Sequence, residues 1–224
     1  MLGELTASIA HEINQPLGAI LSNADAASML MELPQPPLDE IREILSDIRR
    51  DDMRASEVIR QVRAMVSQGE TLMIPLRPEE LVHSVAAMVR HDCRRRSILL
   101  HCDIAENLPQ VSGEKVRIEQ VLLNLLLNAM DSLVGVDPEK RQILMAVAPS
   151  DDGMVDISVC DSGPGIPADL LERIFESFFT TKSEGMGLGL ALSRSIAEAN
   201  GGKLIARNAT GGGACFHLIL PPIQ

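Results

Sequence analysis

Ser8-Ile-Ala-His-Glu-Ile-Asn-Gln-Pro-Leu17 places one histidine in a segment whose apolar residues keep helical spacing. Leu5, Ile9, Ile13 and Leu17 form an i, i+4 ridge that Ile20, Ala24 and Met31 continue. The pattern predicts a helix over about residues 2–33, roughly 45 Å long at 1.5 Å per residue. That length is too great for a small globule and suits a bundle. Pro16 removes one backbone hydrogen bond inside the helix and favours a bend. Pro34-Gln-Pro-Pro37 then stops it. A second helix is expected over 38–68, where Ile41, Ile48, Ala55 and Val62 recur every seven residues beside Leu45, Asp52, Ile59 and Val66. This is a coiled-coil-like seam with one polar break at Asp52. Two long helices joined by a proline turn make an antiparallel hairpin, which cannot cover both of its apolar faces. Either two copies pair into a four-helix bundle, or the hairpin packs on the rest of its own chain.

Past residue 68 the character changes. Residues 69–75 read as a linker, and 76–224 as a second domain. Helices are expected at 78–95, 114–133 and 187–200, and strands at 97–104, 142–148, 154–161, 203–207 and 214–220. In the strand at 154–161, Val155, Ile157 and Val159 alternate with polar residues. The glycine pair after Asn200 and the three glycines at 211–213 mark turns. The expected class is therefore α+β: a helical hairpin, then an α/β sandwich with helices on one face of a mixed sheet.

Composition narrows the functions. Of the 224 residues, 46% are hydrophobic and 23% charged, which is ordinary for a globular protein. A net charge of −11 opposes general binding to nucleic acid or anionic membrane. No run of 18 apolar residues and no signal peptide is present, so a cytoplasmic protein, or the cytoplasmic part of a larger one, is expected. Cys93, Cys102, Cys160 and Cys215 lack close metal-type spacing and read as free thiols. With no Trp, no Tyr and four Phe, the core must be aliphatic.

The chemistry-bearing residues gather in three further places. Arg117, Gln120, Asn124, Asn128 and Asp131 are spaced 3, 4, 4 and 3 and share one stripe of the helix at 114–133. A solvated stripe is normally rich in Lys and Glu, whereas this one centres on asparagine. Asparagine is a poor helix former and a neutral oxygen ligand for Mg²⁺. Asp161-Ser-Gly-Pro-Gly-Ile-Pro167 ends an apolar strand, with Gly163 and Gly165 permitting close approach beside the Asp161 acceptor. Glu184-Gly-Met-Gly-Leu-Gly-Leu190 opens a helix, where Gly185, Gly187 and Gly189 offer bare N–H groups to a phosphate. Between the two glycine sites, 174–182 hold three of the four phenylalanines and end on Lys182; this is either core or a hinged lid.

Together these motifs resemble the catalytic core of a bacterial sensor histidine kinase. His11-Glu-Ile-Asn-Gln-Pro-Leu resembles the H box of the phosphoacceptor domain, and Asn124-Leu-Leu-Leu-Asn128-Ala the N box. Asp161-Ser-Gly-Pro-Gly resembles the G1 box, 175–179 the F box and Gly185-Met-Gly-Leu-Gly the G2 box. The five stand in the family's order, and the H-box wording is most similar to the nitrogen-fixation and dicarboxylate-sensing branch. The resemblance implies a dimerisation and phosphoacceptor domain at 1–68 and a catalytic ATP-binding domain at 76–224. It implies that His11 attacks the γ-phosphate of ATP and passes the phosphoryl group to an aspartate of a response-regulator receiver domain. Asn128 would hold Mg²⁺, Asn124 would lie near the phosphates and Asp161 would accept from the adenine amino group. Gly163, Gly165, Gly185, Gly187 and Gly189 complete the expected site, with Lys182 as a further phosphate contact. Glu12 is the implied base, although i and i+1 side chains diverge by about 100° on a helix. Gln15 stands where related kinases often carry Thr or Asn to orient water for dephosphorylating the regulator, so phosphatase activity is an open question.

Two rival readings share the motifs. ATP hydrolases of the same superfamily carry a Glu four residues before the Mg²⁺ asparagine; here that position is Asn124, which takes no proton. A phosphotransfer scaffold with an inactive ATP domain is the other, and the intact glycines, Asn128 and Asp161 oppose it.

Overall fold

The computed structural model describes residues 2–45, 47–48, 51–52, 55, 73–150, 152–181 and 187–223, the side chains of 2–13 excepted. The chain divides into two compact units, Met1–Gly69 and Glu70–Gln224.

In the first unit, α1 runs Leu2–Met31 with Pro16 inside it. The prolines at 34–37 follow in a bend, and helix resumes at residues 38–45. Ile41 and Ala55 are buried and Ile48 half-buried, while Leu45 and Asp52 are exposed. One row of the heptad pattern therefore packs within the hairpin and the other faces outward. Ile59, Val62 and Val66 lie outside the described residues.

The second unit is a two-layer sandwich. Its strands are β1 (Ile74–Leu76), β2 (Leu99–Ile104), β3 (Val111–Gly113), β4 (Gln142–Pro149), β5 (Val155–Asp161), β6 (Lys203–Asn208) and β7 (Ala214–Leu220). Its helices are α2 (Pro78–Arg95), α3 (Lys115–Ser132) and α4 (Gly189–Ala199). The main sheet has the order β2-β4-β5-β7-β6. Only β2 and β4 run parallel, because the crossover between them carries α3. A small sheet pairs β1 with β3 antiparallel, so Ile74 and Pro75, read from sequence as linker, are strand.

Alternation assigns the faces. Met145, Val159 and Phe216 share one rung, and Val147, Ile157 and Leu218 the next. All belong to one core with Leu81, Val85, Ile118, Leu122, Leu125 and Ile196 of the helices. The opposite face is open. It carries Leu144, Ala146, Ser158, Cys160, Cys215 and His217, with His217 Nδ1 2.9 Å from Asp156 Oδ2. There Cys160 and Cys215 face each other across the β5–β7 pair with their sulfurs in direct contact. That juxtaposition depends on strand register, which cysteine spacing does not reveal. Among the described residues no helix is long and apolar enough to cross a membrane.

Leu125 is fully buried on α3, whereas Val116 on the same helix is 69% exposed. Leu125→Ala should destabilise the protein by about 3 kcal/mol, a Tm drop on the order of 10 °C by scanning calorimetry. Val116→Ala should stay within about 0.5 kcal/mol. Equal losses in both variants would mean that α3 is packed on a different face.

Candidate functional site

The three chemistry-bearing stretches of the second unit meet at one end of the sheet, where β5 ends and α3 and α4 approach each other. Asp161 is the last residue of β5 and is buried. Its Oδ1 accepts from the backbone N–H of Gly163 at 2.8 Å and of Ala214 at 3.4 Å. Donors fixed by the backbone hold a carboxylate in one orientation. Neither bond uses Oδ2.

Close approach of chains makes this arrangement possible. A Cβ on Gly163 would lie 2.7 Å from Asp161 Oδ1 and 2.8 Å from Ser132 Oγ, so the turn sits directly on the end of α3. A Cβ on Gly213 would overlap the Asp161 carbonyl oxygen, and its φ of +88° also belongs to glycine. Asn208 braces the turn from below. Its Oδ1 accepts from Ile166 N–H at 2.8 Å and its Nδ2 donates to Ile166 O at 2.6 Å, beneath Gly165. Sequence reasoning missed Asn208 and Gly213. For Gly213 the triple glycine at 211–213 was a signal; for Asn208 there was none.

On α3 the stripe is not a solvated face. Arg117, Gln120, Asn124 and Asn128 are all half-buried, and only Asp131 is exposed. Its two ends are tied by charge: Arg117 Nε lies 2.8 Å from Glu114 Oε2, and Arg96 Nη1 3.3 Å from Asp131 Oδ1. At the centre, Asn124 Nδ2 donates to Ser193 Oγ of α4 at 3.0 Å. A Cβ on Gly189 would lie 2.6 Å from Asn124 Oδ1, so Gly189 is the residue that lets α4 seat on this amide. Ser193 is a further contact that sequence reasoning missed.

Among the described residues no side-chain cap is seen at the start of α4 at Leu188, and the first-turn N–H groups of a helix can meet an anion. Gly187 packs against the backbone of 178–179 and accepts at its carbonyl from Phe178 N–H at 3.1 Å. The phenylalanine segment is not buried uniformly. Phe175 is core, edge-on to Phe216 and covered by the Arg194 guanidinium at 4.5 Å, whereas Phe178 is exposed. Lys182 and Gly185 lie outside the described residues. His11 and Glu12 fall within α1, but their side chains are not among those described; Gln15 is exposed on the same helix.

The acceptor carboxylate, the amide-rich stripe and the start of α4 are thus three surfaces of one region. They suit, in order, a base with an exocyclic amine, a hydrated divalent cation and a phosphate chain. Among the described residues no group of three or more His, Cys, Asp or Glu is placed to hold a metal by itself.

Comparison with known proteins agrees with this geometry. Residues 113–224 match the model of the histidine kinase-, DNA gyrase B- and HSP90-like ATPases, and residues 1–71 that of the His kinase A phosphoacceptor domain. The chain is 36% identical over 222 residues to sensor histidine kinase TmoS of Ectopseudomonas mendocina, covering 98% of this chain and 23% of that protein. It is 32% identical to sensor protein FixL of Bradyrhizobium diazoefficiens, covering 98% of this chain and 43% of the relative. To the C4-dicarboxylate transport sensor DctS of Rhodobacter capsulatus it is 34% identical, covering 100% and 34%. The chain thus spans less than half the length of these curated relatives. Among solved structures, the catalytic domain of histidine kinase ThkA matches at 32% identity with a TM-score of 0.60, over 67% of this chain and 95% of that one. ThkA in complex with response regulator TrrA matches at 28% identity and a TM-score of 0.73, covering 99% of this chain and 62% of that one. ShkA in complex with AMPPNP matches at 26% and 0.70, covering 99% and 46%. A phosphoacceptor domain followed by this ATPase domain, on a sandwich of this topology, makes the chain a member of the sensor histidine kinase family, in the branch that holds FixL and DctS.

Proposed function

We propose that the chain is the kinase core of a cytoplasmic sensor, or of the cytoplasmic part of a larger one. It transfers the γ-phosphoryl group of ATP to His11 and then to an aspartate of a response-regulator receiver domain. The observation that carries this reading is the buried Asp161 carboxylate, whose Oδ1 is held by two backbone N–H groups. That leaves Oδ2 to accept from an adenine amine. Asn124 and Asn128 supply neutral oxygen and amide groups toward the phosphates, and Asn128 is the Mg²⁺ ligand. Mg²⁺ is commonly held by one or two protein oxygens plus substrate phosphates, so a single amide suffices where no carboxylate cage exists. When bound, the ion neutralises phosphate charge and draws electrons from the bond being broken. Gly163 and Gly165 admit the base, while Gly185, Gly187 and Gly189 present N–H groups at the start of α4 and Lys182 adds a cation.

A neutral imidazole is already nucleophilic near pH 7, so the protein's task is in-line positioning and charge neutralisation. Glu12 serves as base for His11, and Gln15 orients water in the reverse, phosphatase direction. Position 124 carries an amide that donates to Ser193 and cannot take a proton from water. This favours transfer to a side chain over hydrolysis. Homodimerisation through residues 1–68 fits the matched phosphoacceptor domain and the exposed Leu17, Leu21 and Leu45 of the hairpin.

Incubation with γ-labelled ATP and Mg²⁺ should yield an acid-labile label, as a phosphoramidate requires. His11→Gln should abolish it while leaving ATP affinity within about twofold, because acceptor and nucleotide site lie in different units. An acid-labile label on that variant would remove His11 from the reaction. Asn128→Ala should abolish Mg²⁺-dependent ATP binding in calorimetry without lowering Tm by more than about 2 °C, since a half-buried amide adds little to the core. Unchanged affinity would return the stripe to a merely structural role. Glu12→Gln should slow autophosphorylation by about 10²-fold at unaltered ATP affinity, the range for loss of a general base. A rate within twofold of the parent would assign the proton to another acceptor.

A further inference from the structure

Cys160 and Cys215 occupy the last rung of the β5–β7 ladder, whose pairs run from Val155 opposite Leu220 to Cys160 opposite Cys215. Beyond that rung the regular ladder ends. The next residues are Asp161 and Ala214, and there Ala214 N–H turns to the Asp161 carboxylate instead of continuing the ladder. The cysteine pair thus sits one residue from Asp161 on β5 and beside Ala214 on β7. Joined, it closes a loop with a sequence separation of 55. That loop contains the turn after Asp161, the phenylalanine segment, α4 and β6. Both cysteines are half-buried on the open face of the sheet, within reach of a small molecule. The cross-strand neighbour of Cys215 on β6 is Arg207.

The other two cysteines differ. Cys93 is buried in the core, and burial, reinforced by Asp92, pushes its thiol up, so it stays protonated and inert. Cys102 is exposed and is not disulfide-bonded.

We infer that Cys160 and Cys215 form a thiol–disulfide exchange site that sets ATP affinity by closing or releasing the last rung beside Asp161. The co-reactant is a low-molecular-weight disulfide of the glutathione class. One cysteine thiolate attacks it and releases one glutathione thiolate; the second cysteine thiolate then displaces the other from the mixed disulfide. Two protein thiols become one disulfide, one glutathione disulfide becomes two thiols, and the two protons pass to the released glutathiones. In a reducing compartment the pair rests as thiols and closes under oxidant load. The end of a ladder is where opening costs least, so the bond acts where the reduced strands fray most. Fraying withdraws the Ala214 donor and lets the carboxylate turn, which lowers the fraction of molecules ready to bind adenine.

The inference rests on the nucleotide reading of Asp161, and one experiment separates the two. The full chain is equilibrated in reduced or oxidised glutathione, alkylated for peptide mapping, and titrated with Mg²⁺-ATP in a calorimeter. The oxidised protein should yield a linked Cys160–Cys215 peptide, melt higher by roughly 5–15 °C, and bind ATP about threefold or more tightly, as a shift in the competent fraction requires. Cys160→Ser and Cys215→Ser should each bind ATP like the reduced parent in either buffer, and Cys102→Ser should keep the full response. Free alkylation of both thiols in oxidised glutathione, or equal ATP affinity in the two states of the parent, overturns the inference. Absence of ATP binding in both states overturns the nucleotide reading itself, and this inference with it.

Discussion

The second unit is arranged around the difficulty of holding one carboxylate, Asp161, inside a protein. A buried charge needs partners, and side-chain partners would fill the space that a ligand must enter. The chain uses backbone instead. The N–H groups of Gly163 and Ala214 converge on Oδ1 from two different strand ends. That convergence requires the backbone after β5 to fold back on α3, and the backbone before β7 to pass over the Asp161 carbonyl. Side chains at Gly163 or Gly213 would block one or the other. Asn208 then fixes the far side of the turn through both polar atoms of its amide. Sheet order matters for the same reason: β5 and β7 are interior neighbours, so both ends are held laterally by further strands.

The α3 helix joins that carboxylate to the rest of the site. Its apolar face, Ile118 through Ala129, is fully committed to the core. Its polar face is free to carry residues that helices otherwise disfavour, two asparagines among them. The helix tolerates them because its stability comes from burial rather than propensity. Asn124 is held against α4 through Ser193, and Gly189 removes the side chain that would keep the two helices apart. The start of α4 therefore lies beside the amide stripe by packing, with Gly189 against Asn124.

These relations differ in how far the sequence discloses them. The strands at 142–149, 155–161 and 214–220 are legible because a half-buried strand alternates residue by residue, as Val155, Ile157 and Val159 do. The bounds of α2 are legible because Pro78 sits at its first turn and arginines close its last. Strands β1 and β3 are not, since three residues carry no period and their pairing spans a distance in sequence that local pattern does not see. The cysteine pair is hidden for a related reason: Cys160 and Cys215 are 55 apart and meet only through register. Site glycines were legible as a group but not in their separate tasks. Gly189 and Gly187 serve close packing as much as access for a ligand, and only coordinates separate those uses.

The hairpin of the first unit poses the complementary problem. Among its described side chains Ala27, Ile41 and Ala55 are buried. Leu17, Leu21, Met29 and Leu45 remain exposed at 48%, 64%, 66% and 51%. Scattered exposed leucines need no explanation, but these recur along the two faces of a hairpin whose sequence keeps a seven-residue repeat. Helices of that length gain most of their stability from a packed apolar face, and a lone pair supplies only half of one. The proposed second copy supplies the other half. It would bury the outward row that begins at Leu45 while leaving the inward row at Ile41 and Ala55 unchanged. Pairing would then stabilise the helix that carries His11 without using any residue of the nucleotide site, so the acceptor's scaffold and the ATP site can be held by independent interactions.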